Sequence, residues 1–290
     1  MLAVRLMGGL GNQLFQYAFG RQLAEALGVP LHLDLRSFGE IVPGQTVRSY
    51  ELGVYPISAE IAEPSHLPKL KTSKPGRWLA RAAATCGLQM DVIEYLPPGY
   101  RAGLPTKRNA LYVGYWQSAE YFQHSAEPLR IELTPKREPN ASNREYAVKI
   151  ANTNAVSLHV RRGDYASVAR TNQTHGLAPL EYYRESIRTM RERTEAPTFF
   201  VFSDDLAWCR ENLPLGDSAV YVEGNGGAMA YEDLRLMSLC RHHVIANSSF
   251  SWWGAWLNPS PAKIVIAPAR WFADSTIDTT DMIPKEWIGI

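Results

Sequence analysis

The sequence predicts an α/β protein of two domains, each built on a parallel sheet, and three observations support this class. The chain has 290 residues, which suits two compact domains that are each large enough to bury a core. It opens with a strand, a glycine-rich turn, a helix and a second strand, the unit of a doubly wound, Rossmann-like sheet. Its second half alternates short apolar strands with helical stretches, which implies right-handed crossovers between parallel strands.

The first half begins with a β-α-β unit. Residues Leu2–Met7 predict an apolar strand, Gly8–Gly11 a turn, and Asn12–Leu27 a helix that starts with a capping residue and ends at Gly28. The segments VPLHLDL and ALYVGYW predict two further strands.

The middle of the chain has weak periodicity. Residues Phe38–Arg108 are rich in Pro and Gly, and one helix is predicted there, near Arg77–Ala84. The segment LTPKREPN, Leu133–Asn140, combines two prolines with charges as a linker does. We therefore place the domain boundary in this segment, so that 1–138 form the first domain and 139–290 the second.

The second half carries five predicted strands whose carboxyl ends bear unusual polar residues. The strands are Ala155–Val160, Thr198–Phe202, Ala219–Val222, Val244–Ala246 and Ile264–Ala267. Four of them lead into the sequences HVRRGDY, SDD, EGNGG and NSSFSWWG. Because ligands bind outside the carboxyl ends of parallel strands, we expect these residues to converge on one rim of the sheet.

Composition and charge exclude several classes of protein. Lys and Arg number 30 against 29 Asp and Glu, a net charge of +1, so no global field favours nucleic acid and any anion must be bound locally. Apolar residues make up 46% of the chain, without an uninterrupted apolar span of about 18 residues, which excludes disorder and a transmembrane helix.

The start of the sequence and its cysteines indicate the compartment. The start MLAVRLMGGLGNQ is a poor signal peptide, so we expect a cytoplasmic protein, with association with the inner face of the membrane left open. Three distant cysteines indicate reduced thiols.

Two adjacent arginines follow the first of these strands and indicate an anion site. Each guanidinium presents a planar fork of donors that matches phosphate oxygens. Ser248 or Ser249, at a predicted helix start, adds hydroxyl and N–H donors, so the serines and the arginines together predict a pyrophosphate pocket. The alternatives are a salt bridge of Arg161 and Arg162 with Asp164, and plain N-capping by the serines.

Strand geometry predicts different side-chain directions for the two arginines. Because side chains alternate along a strand, Arg161 should share the side of His159, while Arg162 points the other way. We assign phosphate contact to Arg161 and scaffolding of the loop, held by Asp164, to Arg162.

The adjacent carboxylates of Asp204 and Asp205 suit three roles. Adjacent side chains point apart on an extended chain and chelate a cation poorly, so no metal site is predicted. A carboxylate also accepts hydrogen bonds from a base such as guanine, and it caps a helix such as the following LAWCREN segment. We assign capping to Asp204 and base recognition to Asp205, with the reverse assignment open.

The N-terminal motif GGLGNQLFQYA lacks the last glycine of a dinucleotide fingerprint. We expect its turn to bring the amides of Asn12 and Gln13 to a helix N-terminus that faces the interdomain cleft. The aromatic cluster Trp252, Trp253 and Trp256 is predicted to be core rather than a sugar platform.

Four motifs, GGLGNQLFQYA, HVRRGDY, FSDD and NSSFSWWGAWL, span Gly8 to Leu257 and resemble the bacterial α-1,2-fucosyltransferases of glycosyltransferase family 11. The resemblance implies a GT-B-like fold, in which two Rossmann-like domains face each other across a cleft. It also implies an acceptor-side first domain, a second domain that binds GDP-fucose, and inverting transfer without a metal. The segment 38–108 matches no motif of this family.

The resemblance also implies residue roles. By position, His159 contacts the nucleoside, Arg161 the β-phosphate, Asp205 the guanine and Asn12 the reacting end. The implied reaction is a single displacement that moves L-fucose to the 2-hydroxyl of a terminal galactoside in a glycan, with Arg161 stabilising the departing phosphate. Asp164 is a candidate for the base, although its pairing with Arg162 is the favoured alternative, and water or the phosphate itself could suffice.

Two other classes stay open at this point. A fucosyltransferase of α-1,6 or O-linked regiochemistry would share the donor motifs. A non-catalytic protein that binds GDP-sugars would keep affinity without turnover, and the intact Asn12 and Arg161 speak against it.

Overall fold

Two parallel sheets, one in each half of the chain, organise the fold in the computed structural model. The structure describes residues 1–39, 47–68, 90–163, 176–274 and 276–290. The chain divides into unit 1, Met1–Leu133 with Thr280–Met282, and unit 2, Thr134–Thr279 with Ile283–Ile290. The predicted α/β class with parallel sheets is confirmed. The predicted roles of the two halves, an acceptor side in the first and GDP-fucose binding in the second, stay predictions.

The sheet of unit 1 has five strands in the order β3-β2-β1-β5-β4, all paired in parallel. The strands are β1 Leu2–Arg5, β2 Leu31–Asp34, β3 Glu60–Ile61, β4 Asp91–Tyr95 and β5 Ala110–Gly114. The α-helices are α1 Leu10–Leu27 and α2 Ala126–Glu132, with 3₁₀ turns at Arg36–Gly39, Leu52–Val54, Pro64–His66, Ala119–Tyr121 and Gln123–Ser125. The chain moves outward from β1 to β2 and β3 on one side, then enters β4 at the opposite edge and returns to β5 beside β1, so the strand order changes direction between β1 and β5.

Helix α1 begins earlier than its sequence pattern predicts. Gly9 occupies the N-cap position, without a side-chain hydrogen bond, so Asn12 lies in the first turn and the predicted capping start at Asn12 is wrong. Its predicted end is confirmed: Gly28 adopts a left-handed φ of 63°, which favours glycine, and its N–H donates to the carbonyl of Glu25 at 3.1 Å.

The sheet of unit 2 has six parallel strands in the order β11-β10-β9-β6-β7-β8. The strands are β6 Asn154–Val160, β7 Pro197–Ser203, β8 Ala219–Tyr221, β9 His242–Val244, β10 Val265–Ala267 and β11 Ile288–Gly289. The helices are α3 Ala141–Ala151, α4 Leu180–Arg193, α5 Leu206–Asn212, α6 Ala230–Leu239 and α7 Ser249–Leu257, with 3₁₀ turns at Gly216–Ser218 and Gly227–Met229. The five strands predicted for this half are confirmed within two residues at either end.

Strand β6 is buried on both faces, as its apolar sequence predicts. Val156 and Leu158 pack with Ile187 of α4, whereas Ala155 packs on the opposite face with Leu236 of α6. Burying a large apolar side chain stabilises the fold by about 1.5–3 kcal/mol, so these alternating contacts hold the end of β6 rigidly. The functional residues that follow β6 are therefore carried by a fixed element.

Further sequence predictions can be compared with the structure. The tryptophans of α7 are buried, with at most 8% of their surface exposed, so their prediction as core is confirmed. Cys209 and Cys240 are reduced and buried. The predicted helix at Arg77–Ala84 lies outside the described residues, and so does Cys86. Within the described ranges no helix combines the length and apolarity needed to span a membrane.

Candidate active site

The site in unit 2 lies where the strand order reverses. The chain moves outward from β6 to β7 and β8 on one side, and from β9 to β10 and β11 on the other. In open parallel sheets, the crevice outside the carboxyl ends at such a switch point is the usual ligand site. Arg161 follows β6 there, and Ser248 follows β9. The ring centroids of His159 and Phe250 lie 5.8 Å apart, so the end of β6 is next to the start of α7.

Arg161 is held by the carboxylate that follows the next strand. Its Nη1 lies 2.8 Å from Oδ2 of Asp204. A Cβ atom at Gly163 would lie 2.6 Å from that same oxygen, so the close approach requires glycine at this position. The ion pair orients the guanidinium at the switch point.

The side chain of Arg162 has different partners from that of Arg161. Its main-chain N–H donates to Oδ1 of Asp204 at 2.8 Å, and its Nε lies 3.2 Å from Oδ2 of Asp205. Its guanidinium carbon lies 4.2 Å from the centre of the Trp208 ring. Arg162 thus braces α5 through Asp205, and its predicted partner Asp164 lies outside the described residues.

The assignment of helix capping to Asp204 is wrong, because Asp205 is the N-cap of α5. Oδ1 of Asp205 accepts from the N–H of Trp208 at 3.1 Å. The turn is fixed by the N–H of Asp205, which donates to Oγ of Ser203 at 2.9 Å. The two carboxylates have different arginine partners, Arg161 for Asp204 and Arg162 for Asp205. Base recognition by Asp205 stays a prediction.

His159 carries a buried nitrogen that a ligand could satisfy. Its side chain is 6% exposed, and its Nδ1 has no hydrogen-bond partner among the residues that the structure describes. Burial, followed by the charge of Arg161, lowers the pKa of His159 to about 3, against the opposing charge of Asp204. The ring is therefore neutral near pH 7, with one nitrogen to donate and one to accept. Buried polar atoms are rarely left unpaired, so this nitrogen indicates a functional position.

The serines stand at the start of α7. Ser248 is its N-cap, and Oγ of Ser248 accepts from the N–H of Phe250 at 3.3 Å, while Ser249 is the first helical residue. Asn247 is buried and donates to the carbonyls of Gly176 and Trp271, both at 3.2 Å. The helix N-terminus thus lies at the switch point, where its N–H groups favour an anion. Phosphate contact by Ser248 and Ser249 stays a prediction.

In unit 1, Asn12 lies at the reversal between β1 and β5. Its Oδ1 accepts from Nε2 of Gln117 at 2.9 Å. The amide of Gln13, in contrast, bonds to main-chain atoms of Gly8, Ser49 and Glu51, which makes Gln13 a structural residue. Sequence analysis missed Gln117, although its position directly after the strand ALYVGYW is the available signal.

The sequence has known relatives. Residues 100–290 match the profile of Glycosyl transferase family 11. The alpha-1,2-colitosyltransferase of Escherichia coli is 34% identical over 100% of this chain and 99% of its own length. The O-antigen biosynthesis glycosyltransferase WbnK of Escherichia coli is 32% identical over 98% and 99%. The galactoside alpha-(1,2)-fucosyltransferase 2 of Oryctolagus cuniculus is 27% identical over 100% and 77%.

Solved structures share the fold. The NodZ alpha-1,6-fucosyltransferase co-crystallised with GDP superposes with a TM-score of 0.51 at 15% identity, over 89% of this chain and 92% of that chain. The fucosyltransferase NodZ from Bradyrhizobium, in its selenomethionine form, gives a TM-score of 0.50 over the same shares. At this identity the likeness concerns the fold, which is GT-B-like.

Proposed function

The chain belongs to Glycosyl transferase family 11, and from this premise we propose that it moves L-fucose from GDP-fucose to the 2-hydroxyl of a terminal galactoside in a glycan, with inversion. Its relatives include α-1,2-fucosyl and α-1,2-colitosyl transferases. The observation that carries the proposal is the meeting of Arg161, His159 and Ser248 at the switch point of the second sheet.

The donor fits the chemistry of this site. The oriented guanidinium of Arg161 and the N-terminus of α7 suit the two phosphates. The neutral ring of His159 suits the hydroxyl groups of the nucleoside, since it both donates and accepts. Asp205 remains the proposed contact for guanine.

The reaction is a single displacement. The acceptor oxygen bonds to the anomeric carbon of fucose while the bond from that carbon to the β-phosphate oxygen breaks, and the electron pair leaves with GDP. Arg161 stabilises the charge that develops on the phosphate, an interaction that is stronger in the transition state than in the ground state. Asn12, held by Gln117, is proposed to contact the reacting end.

We propose that no metal or other cofactor takes part. Asp204 and Asp205 each have an arginine partner, which supports a role for them in orienting cationic side chains. The protein then supplies the positive charge that a divalent ion would otherwise bring to the leaving group. We also propose that the protein is cytoplasmic, with association with the membrane surface left open.

A second candidate is transfer of colitose, because a relative with that activity in its name matches the whole chain. Colitose lacks the 3-hydroxyl of fucose. A site built to hydrogen-bond that hydroxyl would discriminate strongly against colitose, whereas a site without such a contact would accept both donors.

The test compares donors with purified protein. We expect GDP-fucose to support transfer to terminal β-galactosides with a higher kcat/KM than GDP-colitose, as measured by mass spectrometry of the products. Arg161→Ala should abolish transfer, and Arg184→Ala, at an exposed arginine of α4, serves as the matched control. Transfer from neither donor by a folded protein would contradict the proposal. Linkage analysis separates the α-1,2 product from α-1,6 and O-linked ones.

A further inference from the structure

We propose that Trp208 is a positioning residue, which decides which of the two adjacent arginines pairs with which of the two adjacent aspartates. This role rests on the proposed function, in which Arg161 holds the phosphates of the donor. Every residue that carries the inference belongs to unit 2.

The strand ends of β6 and β7 allow two sets of ion pairs. The two strands are paired in register to their ends, so the arginines and the aspartates follow neighbouring positions of the sheet. Arg161 lies on Asp204 at 2.8 Å. Arg162 lies on Asp205 at 3.2 Å. In a crossed set each arginine would meet the other carboxylate, with the same charges at similar distances. Charge alone therefore does not select the observed set.

The ring of Trp208 adds a contact that favours the observed set. The guanidinium carbon of Arg162 lies 4.2 Å from the centre of this ring, within the range of a cation–π contact. Nε of the same guanidinium lies 3.2 Å from Oδ2 of Asp205, so Arg162 is stacked and paired at once. The ring thus holds Arg162 beside Asp205 and leaves Asp204 to Arg161.

Trp208 is itself held from two helices. Its main-chain N–H donates to Oδ1 of Asp205 at 3.1 Å, and its carbonyl accepts from Nδ2 of Asn212 at 2.9 Å, both in α5 or at its cap. Its ring meets that of Tyr183 in α4 edge to face, with centroids 6.5 Å apart. Because Tyr183 is 1% exposed, the ring of Trp208 packs against a fixed part of the core.

The position of Arg162 is transmitted to Arg161 through one carboxylate. The main-chain N–H of Arg162 donates to Oδ1 of Asp204 at 2.8 Å, and Oδ2 of Asp204 lies 2.8 Å from Nη1 of Arg161. Without the ring, the side chain of Arg162 competes for Asp204, and Arg161 loses its fixed orientation. Since a misplacement of about 1 Å can cost about 100-fold in rate, even a partial exchange of partners should lower kcat.

A merely structural contact of α5 is the alternative, and the same helix offers a matched control. The guanidinium carbon of Arg210 lies 3.9 Å from the centre of the Tyr221 ring, and Arg210 also pairs with Glu223. This second stack has the same chemistry, but it joins α5 to β8 at the edge of the sheet. Its loss should affect the stability of α5 without affecting the switch point.

The first test compares the two stacks. Trp208→Leu removes the aromatic face and keeps the main-chain cap of α5. We expect it to lower kcat for fucosyl transfer by about tenfold, whereas Tyr221→Leu stays within about twofold of the wild type. Trp208→Phe keeps an aromatic face and should stay within about threefold. Equal losses in Trp208→Leu and Tyr221→Leu, or a loss in Trp208→Phe as large as in Trp208→Leu, would overturn the role.

A double-mutant cycle tests the route through Arg162. Arg162→Gln removes the charge that stacks on the ring. If Trp208 acts through Arg162, adding Trp208→Leu to Arg162→Gln should lower kcat by less than about twofold further. A further loss of about tenfold would show that Trp208 acts independently of Arg162 and would overturn the proposal. Melting temperatures check that the variants fold, and Trp208→Met replaces Trp208→Leu if the latter does not.

Failure of this role differs from failure of the proposed function. An active wild type with a fully active Trp208→Leu removes only the role of Trp208, whereas a wild type that transfers no fucose removes the proposed function. In that second case the ion pair is followed by the nitrogen NMR signal of the Arg161 Nε–H group, assigned by its loss in Arg161→Lys. The signal should shift or broaden in Trp208→Leu and not in Tyr221→Leu. An unchanged signal in Trp208→Leu would overturn the role of Trp208.

Discussion

Arg161 and Asp204 form an ion pair across the carboxyl ends of two neighbouring strands, with Nη1 2.8 Å from Oδ2. About a quarter of each side chain is exposed, so the pair is reachable from solvent. Asp204 is itself fixed by the main-chain N–H of Arg162. The pair therefore presents an oriented guanidinium rather than a mobile charge, which is how a leaving group is stabilised without reorganisation during the reaction.

Replacing Arg161 by lysine should be nearly as damaging as replacing it by alanine. Lysine keeps the charge but loses the planar fork that meets Asp204 and that we propose binds phosphate. We expect kcat to fall by about 100-fold or more in both variants. Steady-state kinetics with GDP-fucose measure this, with Arg184→Lys as control. A lysine variant that retains most of its kcat would show that charge alone suffices.

Gly163→Ala should displace Asp204 and disorder the ion pair. The added methyl would lie 2.6 Å from Oδ2 of Asp204, too close for any real contact. Because a misplacement of about 1 Å can cost about 100-fold in rate, we expect at least a tenfold loss of kcat/KM. Gly53→Ala, where the nearest atom is 3.5 Å away, is the control. Equal activity of the two variants would argue that Asp204 does not orient Arg161.

Asp205 should contribute to stability as a helix cap and to binding as a base contact. Asp205→Ala should lower the free energy of unfolding by about 1 kcal/mol, and Asp205→Asn by less, since asparagine also caps helices. Urea denaturation measures both. Asp205→Asn should also weaken GDP binding more than it slows the bound complex. Unchanged GDP affinity in calorimetry would place guanine recognition elsewhere.

Asp233 of α6 should make stability depend on pH. Its Oδ1 accepts from Nδ2 of Asn225 at 2.9 Å, and burial, aided by the charge of Glu232, raises its pKa to about 7. The folded state thus retains a proton that the unfolded chain has released, and the free energy of unfolding should fall as pH rises from the ordinary aspartate pKa through about 7. Asp233→Asn should lack this component in urea titrations between pH 5 and 8. If the free energy of unfolding of the two proteins changed with pH in parallel, the raised pKa of Asp233 would be contradicted.

The sequence predicts the inner strands because each is buried on both faces and reads as an apolar run. It does not predict β3, whose two residues Glu60 and Ile61 are both exposed at the sheet edge. Edge strands of this kind depend on main-chain pairing, which leaves little trace in side-chain pattern.

The site residues also divide into those that the sequence predicts and those that it does not. The positions of Arg161 and Ser248 are predictable because both lie in segments that follow neighbouring strands, and parallel strands bring their ends together. Gln117 meets Asn12 across 105 positions, a contact that depends on how the two segments pack. Which aspartate caps α5 depends on the turn at Ser203, a detail of backbone geometry that adjacent identical residues cannot reveal.

The most direct test of the account is transfer from GDP-fucose to a terminal β-galactoside in excess EDTA, with the product linkage determined by nuclear magnetic resonance. We predict fucose attached through an α linkage to oxygen 2 of galactose, at a rate that added Mg²⁺ or Mn²⁺ changes only modestly. Loss of transfer in EDTA with rescue by Mn²⁺ would contradict the account, because Asp204 and Asp205 would then have to act as metal ligands rather than as partners of Arg161 and Arg162.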